Sequence, residues 1–222
     1  MIDPGLTRLL QLTSPTLPVG AYTYSQGLEW AVEAGRVRDE ATARAWIEAL
    51  LRHPMAGFEA PLLAGLHTAL RLGDEARVTE LNDWYRVSRE SGELRAETLQ
   101  MGYSLAKLAQ SLGEPPVPGV NAETCAFPTA WAWLSVRWGI GVAPSVTGYL
   151  WSWCENQVMA AVKLVPLGQT AGQRLLVGLA GVIPAIAEAA IGLEERHWQG
   201  FAPGLALASC GHESQYTRLF RS

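Results

Sequence analysis

Apolar residues in this chain recur at the three-to-four-residue interval of a helix, and no stretch alternates at the two-residue interval of a half-buried strand. The most regular case is residues 91–112, where Leu94, Met101, Leu105, Leu108 and Leu112 stand seven, four, three and four positions apart. Residues 39–52 repeat the pattern with Ala43, Trp46, Ile47, Leu50 and Leu51. A period of 3.6 sustained over most of the length predicts an all-α fold, a single-domain helical bundle of roughly ten helices spanning residues 1–222.

Proline and glycine divide that pattern. Leu6, Leu9, Leu10 and Thr13 predict a short helix before Pro15, and Pro54 is expected to end the helix over 39–52. Residues 56–72 form another, closed by Gly73, with Asp74 as the cap of the next and Val78, Leu81, Trp84 and Tyr85 as its inner face. Gly113 to Asn121 is Pro/Gly-rich and reads as a loop between two helical halves. Helices are expected over 122–138 and, after Pro144, over 145–165. The second is apolar nearly all round, which marks a central buried helix whose Asn156 and Gln157 need hydrogen-bond partners. A last helix over 169–191 is kinked or interrupted at Pro184. Residues 199–222 lose periodicity and are expected to be extended, or ordered only when a partner binds.

The stretch from Leu9 to Gly35 is of a different kind. Leu17-Pro18-Val19-Gly20 suits a turn, and Ala21-Tyr22-Thr23-Tyr24-Ser25-Gln26 follows it. Thr23 and Gln26 have capping-box spacing, so a helix is expected from there to about Ala34, with Gly35 as a left-handed stop. The result is a shaped corner displaying the rings of Tyr22 and Tyr24, which suits recognition better than catalysis.

Composition supports a partner. Only 17% of residues are charged, against roughly 25% in typical soluble proteins, and there are nine Trp and six Tyr. A net charge of −4 gives no basic field for non-specific nucleic-acid binding. Three distant cysteines, Cys125, Cys154 and Cys210, argue against a disulfide framework and for a reducing compartment. No basic and apolar leader opens the sequence, and the apolar run from Leu175 to Leu193 lacks flanking Lys/Arg asymmetry. A cytosolic protein without a membrane span is expected.

Chemistry is hard to find. There is no Walker A sequence, G-x-S-x-G, H-E-x-x-H or C-x-x-C. Cys210 and His212 do not amount to a metal site, and read as a packed Cys beside a surface His. Arg86 with Glu90 and Arg89 with Glu93 have helical i, i+4 spacing and read as a solvated face. Glu29, Glu155 and Glu188 sit in apolar settings, where burial would raise a carboxyl pKa. An all-helical small-molecule enzyme, with its site between the buried helices around Asn156, Gln157 and Glu188, is the alternative to a recognition protein.

The opening block Leu17-Pro18-Val19-Gly20-Ala21-Tyr22-Thr23-Tyr24-Ser25-Gln26-Gly27-Leu28-Glu29 resembles the UreF family of urease accessory proteins. So do Ser91 to Leu112, Phe127-Pro128-Thr129-Ala130, Asn156 to Gly168 with Gln169 and Gly172-Gln173, and the ending Gln215 to Ser222. The resemblance runs through nearly the whole chain in order. It implies a cytoplasmic, cofactor-free helical scaffold with no catalytic or metal site of its own. It further implies a homodimer that binds the accessory protein UreD (also called UreH) and the nickel-carrying GTPase UreG, for nickel delivery to apo-urease, whose active-site lysine must be carbamylated. Tyr22 resembles the family tyrosine beside the dimer and GTPase face, and Arg218 the arginine that orders against it. The implied partner-binding set is Tyr22, Tyr24, Gln26, Arg218, Phe220 and Arg221, and the rest of the tail resembles the segment ordered by UreD.

Overall fold

The computed structural model describes residues 4–222 and is all-α, with no strand among the described residues. In order, the helices are α1 (Pro4–Leu12), α2 (Leu28–Glu33), α3 (Glu40–Leu50), α4 (Ala60–Leu72), α5 (Glu75–Val87), α6 (Gly92–Ser111), α7 (Phe127–Arg137), α8 (Val142–Leu164), α9 (Gln169–Ala180), α10 (Ile183–Ile191) and α11 (Pro203–Glu213). Side-chain caps start three of them. The Asp39 carboxylate accepts from the Thr42 amide (2.8 Å) while the Thr42 hydroxyl accepts from the Asp39 amide (3.1 Å). Asp74 caps α5 and Ser91 caps α6 in the same sense. Gly35 and Gly73 follow α2 and α4 at φ +68° and +73°.

α8 is the axis, as its nearly all-round apolar character predicts. It packs against α1, α2, α3, α4, α7, α9 and α10. One continuous core surrounds it, with Trp131, Leu134, Leu150 and Cys154 fully buried and Trp131, Tyr149 and Phe127 in mutual edge and tilted ring contacts. α6 and α7 form the most intimate helix pair. Gly102 makes that possible, because a Cβ there would collide with the Cys125 carbonyl.

Several local expectations are overturned, each for an identifiable reason. Pro54 does not end its helix. Residues Leu51–Glu59 form a π-helical segment that joins α3 to α4, and the wider turn absorbs the missing proline N–H. The Gly57 carbonyl within it accepts from the Gln199 amide (2.9 Å), and Trp198 stacks on Trp84 with centroids 5.5 Å apart. These contacts pin residues 193–200 and aim the following chain at α11.

Thr23 and Gln26 do not form a capping box. Residues Ala21–Thr23 make one 3₁₀ turn, the Thr23 hydroxyl donates back to the Gly20 carbonyl (2.8 Å), and α2 begins only at Leu28. The i, i+4 pairs of the charged run also fail, because the helix breaks between Val87 and Gly92. Arg86 pairs with Asp83 instead (2.8 Å), and Arg89 turns into the core. Residues 203–213 are helical rather than extended, lying on α2 and α6 through Leu205 and Ala208.

The apolar stretch Gln169–Ile191 has the length and composition of a membrane-spanning segment. Here it is divided at Gly181 and Val182 into α9 and α10, so the interruption falls just before Pro184, which sits in the first turn of α10.

Candidate functional site

The N-terminal corner is completed by the other end of the sequence. Ser25 receives the tail twice, since its amide (2.7 Å) and its hydroxyl (2.6 Å) both donate to the Ser222 oxygen. One step back, the Arg221 amide donates to the Thr23 carbonyl (2.8 Å). The Leu219 and Phe220 amides donate to the two oxygens of the Glu29 carboxylate (2.6 and 2.9 Å). Glu29 occupies the first turn of α2 and is buried, so these amides give it the charge-assisted partners that burial demands. Phe220 is buried beneath the Lys163 ammonium, 5.5 Å from its ring centroid.

Gln26 is the keystone of the corner. Its backbone sits at φ +53°, a left-handed conformation that side-chain-bearing residues seldom adopt. Two short hydrogen bonds hold it there: its amide nitrogen donates to Glu97 (2.7 Å) and its amide oxygen accepts from the Trp153 indole (2.7 Å). From α8, Asn156 donates to the Tyr24 carbonyl (3.1 Å) and Gln157 to the Ser25 carbonyl (3.3 Å). The polar pair in the central helix thus directs its donors at the backbone of the corner.

Under the corner lies a cavity of about 190 Å³, bordered by Tyr22, Gln26, Trp153 and Met159 and floored by Glu59, Arg89 and Glu97. Arg89 donates to Glu59 (2.7 Å) and to the Tyr85 hydroxyl (3.3 Å), and its guanidinium lies 4.2 Å from the Tyr85 ring centroid. The Tyr149 hydroxyl donates to the other Glu59 oxygen (3.0 Å). Burial works against the Arg89 charge, but Tyr85 and Glu59 outweigh it and raise its pKa. Burial lifts both tyrosine hydroxyls well above their usual range. Glu97 is held by neutral groups instead of an arginine. Burial pushes its pKa up to about 7, although Gln26 and the Ser222 hydroxyl (2.9 Å) stabilise the charged form. Tyr24 is raised as well, first by burial and then by the charge of Glu97.

The residues named from the sequence divide accordingly. Tyr22 is 64% exposed on the outer surface, whereas Tyr24 is 5% exposed and faces inward. Arg218 and Arg221 are exposed. Arg218 pairs with Glu93 on α6 (2.7 Å). Arg221 is the arginine whose positive charge offsets part of the rise in the Tyr24 pKa. Cys210 and His212 are the reverse of a packed Cys beside a surface His, since Cys210 is exposed and His212 fully buried. Both His212 nitrogens face carboxylates, Nδ1 against Glu93 (2.7 Å) and Nε2 against Glu29 (3.2 Å). Among the described residues no group of three or more His, Cys, Asp or Glu is arranged to hold a metal ion.

Glu188 is exposed on α10 and does not line the cavity, whereas Asn156 does and Gln157 donates to the corner with its side-chain oxygen left without a protein partner, so those three do not converge on one site. Burial does raise the pKa of Glu155, as its apolar setting predicts. Sequence reasoning missed Glu59 and Glu97 and read Glu93 as the partner of Arg89, whereas it meets His212 and Arg218. One signal was legible: Glu97 lies three residues after Leu94 and four before Met101, on the buried stripe of α6.

Comparison with known proteins places the sequence in a family. The UreF family model matches residues 37–180. The urease accessory protein UreF of Azoarcus sp. (strain BH72) is 57% identical over 98% of this chain and 95% of its own length. That of Dechloromonas aromatica (strain RCB) is 53% identical over 98% of this chain and 97% of its own length. The bifunctional urease accessory protein UreEF of Bordetella bronchiseptica is 46% identical over 100% of this chain, which covers 53% of that longer protein. The corner block and the tail lie outside the family-model match, and the alignments to the relatives extend over 98% of the chain. On these matches, the chain belongs to the UreF family of urease accessory proteins.

Proposed function

We propose that this chain is a non-enzymatic assembly factor that scaffolds UreD/UreH and the UreG GTPase for insertion of nickel into apo-urease. It works in the cytoplasm as a homodimer and carries no cofactor of its own. The observation that carries this reading is the closure of the tail on the corner. It joins two ends of the sequence through contacts of Ser25, Thr23 and Glu29 with residues 219–222, and Tyr22, Tyr216, Arg218, Leu219 and Arg221 are each exposed. Aromatic and arginine side chains on a preorganised backbone are what a protein-binding hot spot uses. Tyr22 with Arg218 engages the GTPase, and the tail over 215–222 docks UreD, which tightens its order. Tyr24, Gln26 and Phe220 act from beneath as the support of that face. A natural fusion to another urease accessory segment, in the Bordetella protein, supports work inside a multi-protein assembly. Co-purification with UreD and UreG, with and without GTP, tests the reading. Capture of both proteins by the wild-type chain is the expected result.

The competing enzyme reading rests on the cavity, where Glu97 has its pKa raised to about 7 beside the Glu59–Arg89 pair. Turnover of a small molecule by the isolated chain would favour it.

A further inference from the structure

The cavity beneath the corner has room for a small ligand. At about 190 Å³ it exceeds the ~150 Å³ at which an apolar protein cavity takes up benzene, and it reaches the surface, since Tyr22 and Met159 on its border are exposed. Its two buried carboxylates differ. Glu59 is fully engaged, with Arg89 and Tyr149 donating to its two oxygens. Glu97 is not. Gln26 and the Ser222 hydroxyl give each of its oxygens one hydrogen bond, where an ionised carboxylate offers about four acceptor sites. Neither donor carries a charge. The Arg89 guanidinium is matched by Glu59, and the two act on Glu97 with opposite sign. The lining thus pairs a buried carboxylate that has spare lone pairs and no cation of its own with apolar and aromatic walls, the complement of an ammonium group on an apolar body.

We propose that the cavity is a binding site for a small amphipathic amine, its ammonium group on Glu97 and its apolar body, about the size of benzene, among Leu17, Phe127, Trp131 and Met159. The remaining charges of the lining agree with a cation. Glu155 adds a second carboxylate, whose pKa burial alone raises. Lys163 is exposed and engaged over the Phe220 ring. An anion is disfavoured. The Arg89 Nε has no partner within the chain, but an anion brought to it would also meet Glu59 and Glu97. A neutral ligand of the same shape would use the walls and gain nothing from the Glu97 charge. The site requires neither partner docking nor turnover, so it stands apart from both readings of the function.

Isothermal titration calorimetry of the full chain at about pH 8, where Glu97 and an alkylamine are both charged, tests this with three probes of one shape: benzylammonium, benzyl alcohol and benzoate. Benzylammonium is expected to bind once per chain with a Kd of ~0.1–1 mM, the range open to so small a ligand. Benzyl alcohol should bind about tenfold more weakly or less, and benzoate not measurably. In Glu97→Gln the affinity for benzylammonium should fall about tenfold or more, while that for benzyl alcohol stays within about threefold of the wild type. Ser152 lines the cavity from α8, and Ser152→Trp, which fills the space with an indole, should abolish binding of both. That second variant keeps the test decisive should Glu97→Gln fold poorly. No saturable binding of benzylammonium, equal affinity for benzyl alcohol, or a benzylammonium affinity unchanged in either variant overturns the proposal.

Discussion

Replacing Glu97 with glutamine gives the sharpest test of how the corner is built. Glu97 is 5% exposed, accepts from Gln26 and Ser222, and has its pKa raised from 4.5 to about 7 by burial. In the unfolded chain it titrates near its ordinary value, so between about pH 4.5 and about pH 7 the folded state binds more protons than the unfolded state. Stability then falls as pH rises through that window and levels off above it. A shift of this size corresponds to a contribution on the order of 3 kcal/mol, little of it screened because the group is enclosed. The glutamine side chain is uncharged at every pH, can still accept from Gln26, and can donate to the Ser222 hydroxyl. Urea denaturation of both proteins at about pH 5 and about pH 8 isolates the effect, since other titrating groups cancel in the difference. Glu97→Gln should be close to the wild type at the lower pH and more stable by ~2–3 kcal/mol at the higher one. A variant equally destabilised at both values would show that Glu97 is charged and satisfied in the folded state, and would refute the reasoning.

Three further outcomes follow from the same structure. Arg89→Ala strands the buried Glu59 carboxylate and should cost ~3–5 kcal/mol, whereas Tyr149→Phe removes one hydrogen bond to it and should cost ~1–2 kcal/mol; chemical denaturation ranks them. Gly102→Ala places a methyl against the Cys125 carbonyl, so a loss of at least ~3 kcal/mol and a clear drop in melting temperature are expected. Tyr22→Ala and Arg218→Ala should leave the far-ultraviolet circular dichroism unchanged while weakening capture of the GTPase in pull-downs, and undiminished capture by both would remove these side chains from the proposed face.

The helical architecture was legible because periodicity reports burial directly. α6 and α8 follow from their apolar spacing, and Gly73 and Asp74 mark the boundary between α4 and α5 as capping chemistry requires. Failures came where long-range contacts overrode local signals. Thr23 and Gln26 have capping-box spacing, but Gln26 is bound more strongly by Glu97 and Trp153, which lie 71 and 127 positions away. Pro54 is a helix terminator by local rules, but a π-helical turn held by Gln199 and the Trp84–Trp198 stack absorbs it. The tail has no strong period because its order comes from backbone groups, amides donating to Glu29 and the Thr23 carbonyl and the Ser222 oxygen accepting from Ser25, a kind of contact that leaves no trace in residue type. That the two ends of the sequence meet was legible through the family resemblance; the contacts that join them were not. Arg218 pairs with Glu93 because a carboxylate beside a buried histidine is a strong partner.

On the proposed function, the tail folded against the N-terminal corner forms the face to which partners dock. Size-exclusion co-elution of UreD with the wild-type chain and with a chain lacking residues 215–222 tests it most directly, with circular dichroism confirming that the helical core survives the deletion. A stable complex is expected with the wild type and little or none with the truncated chain. Equal co-elution of UreD with both would contradict it.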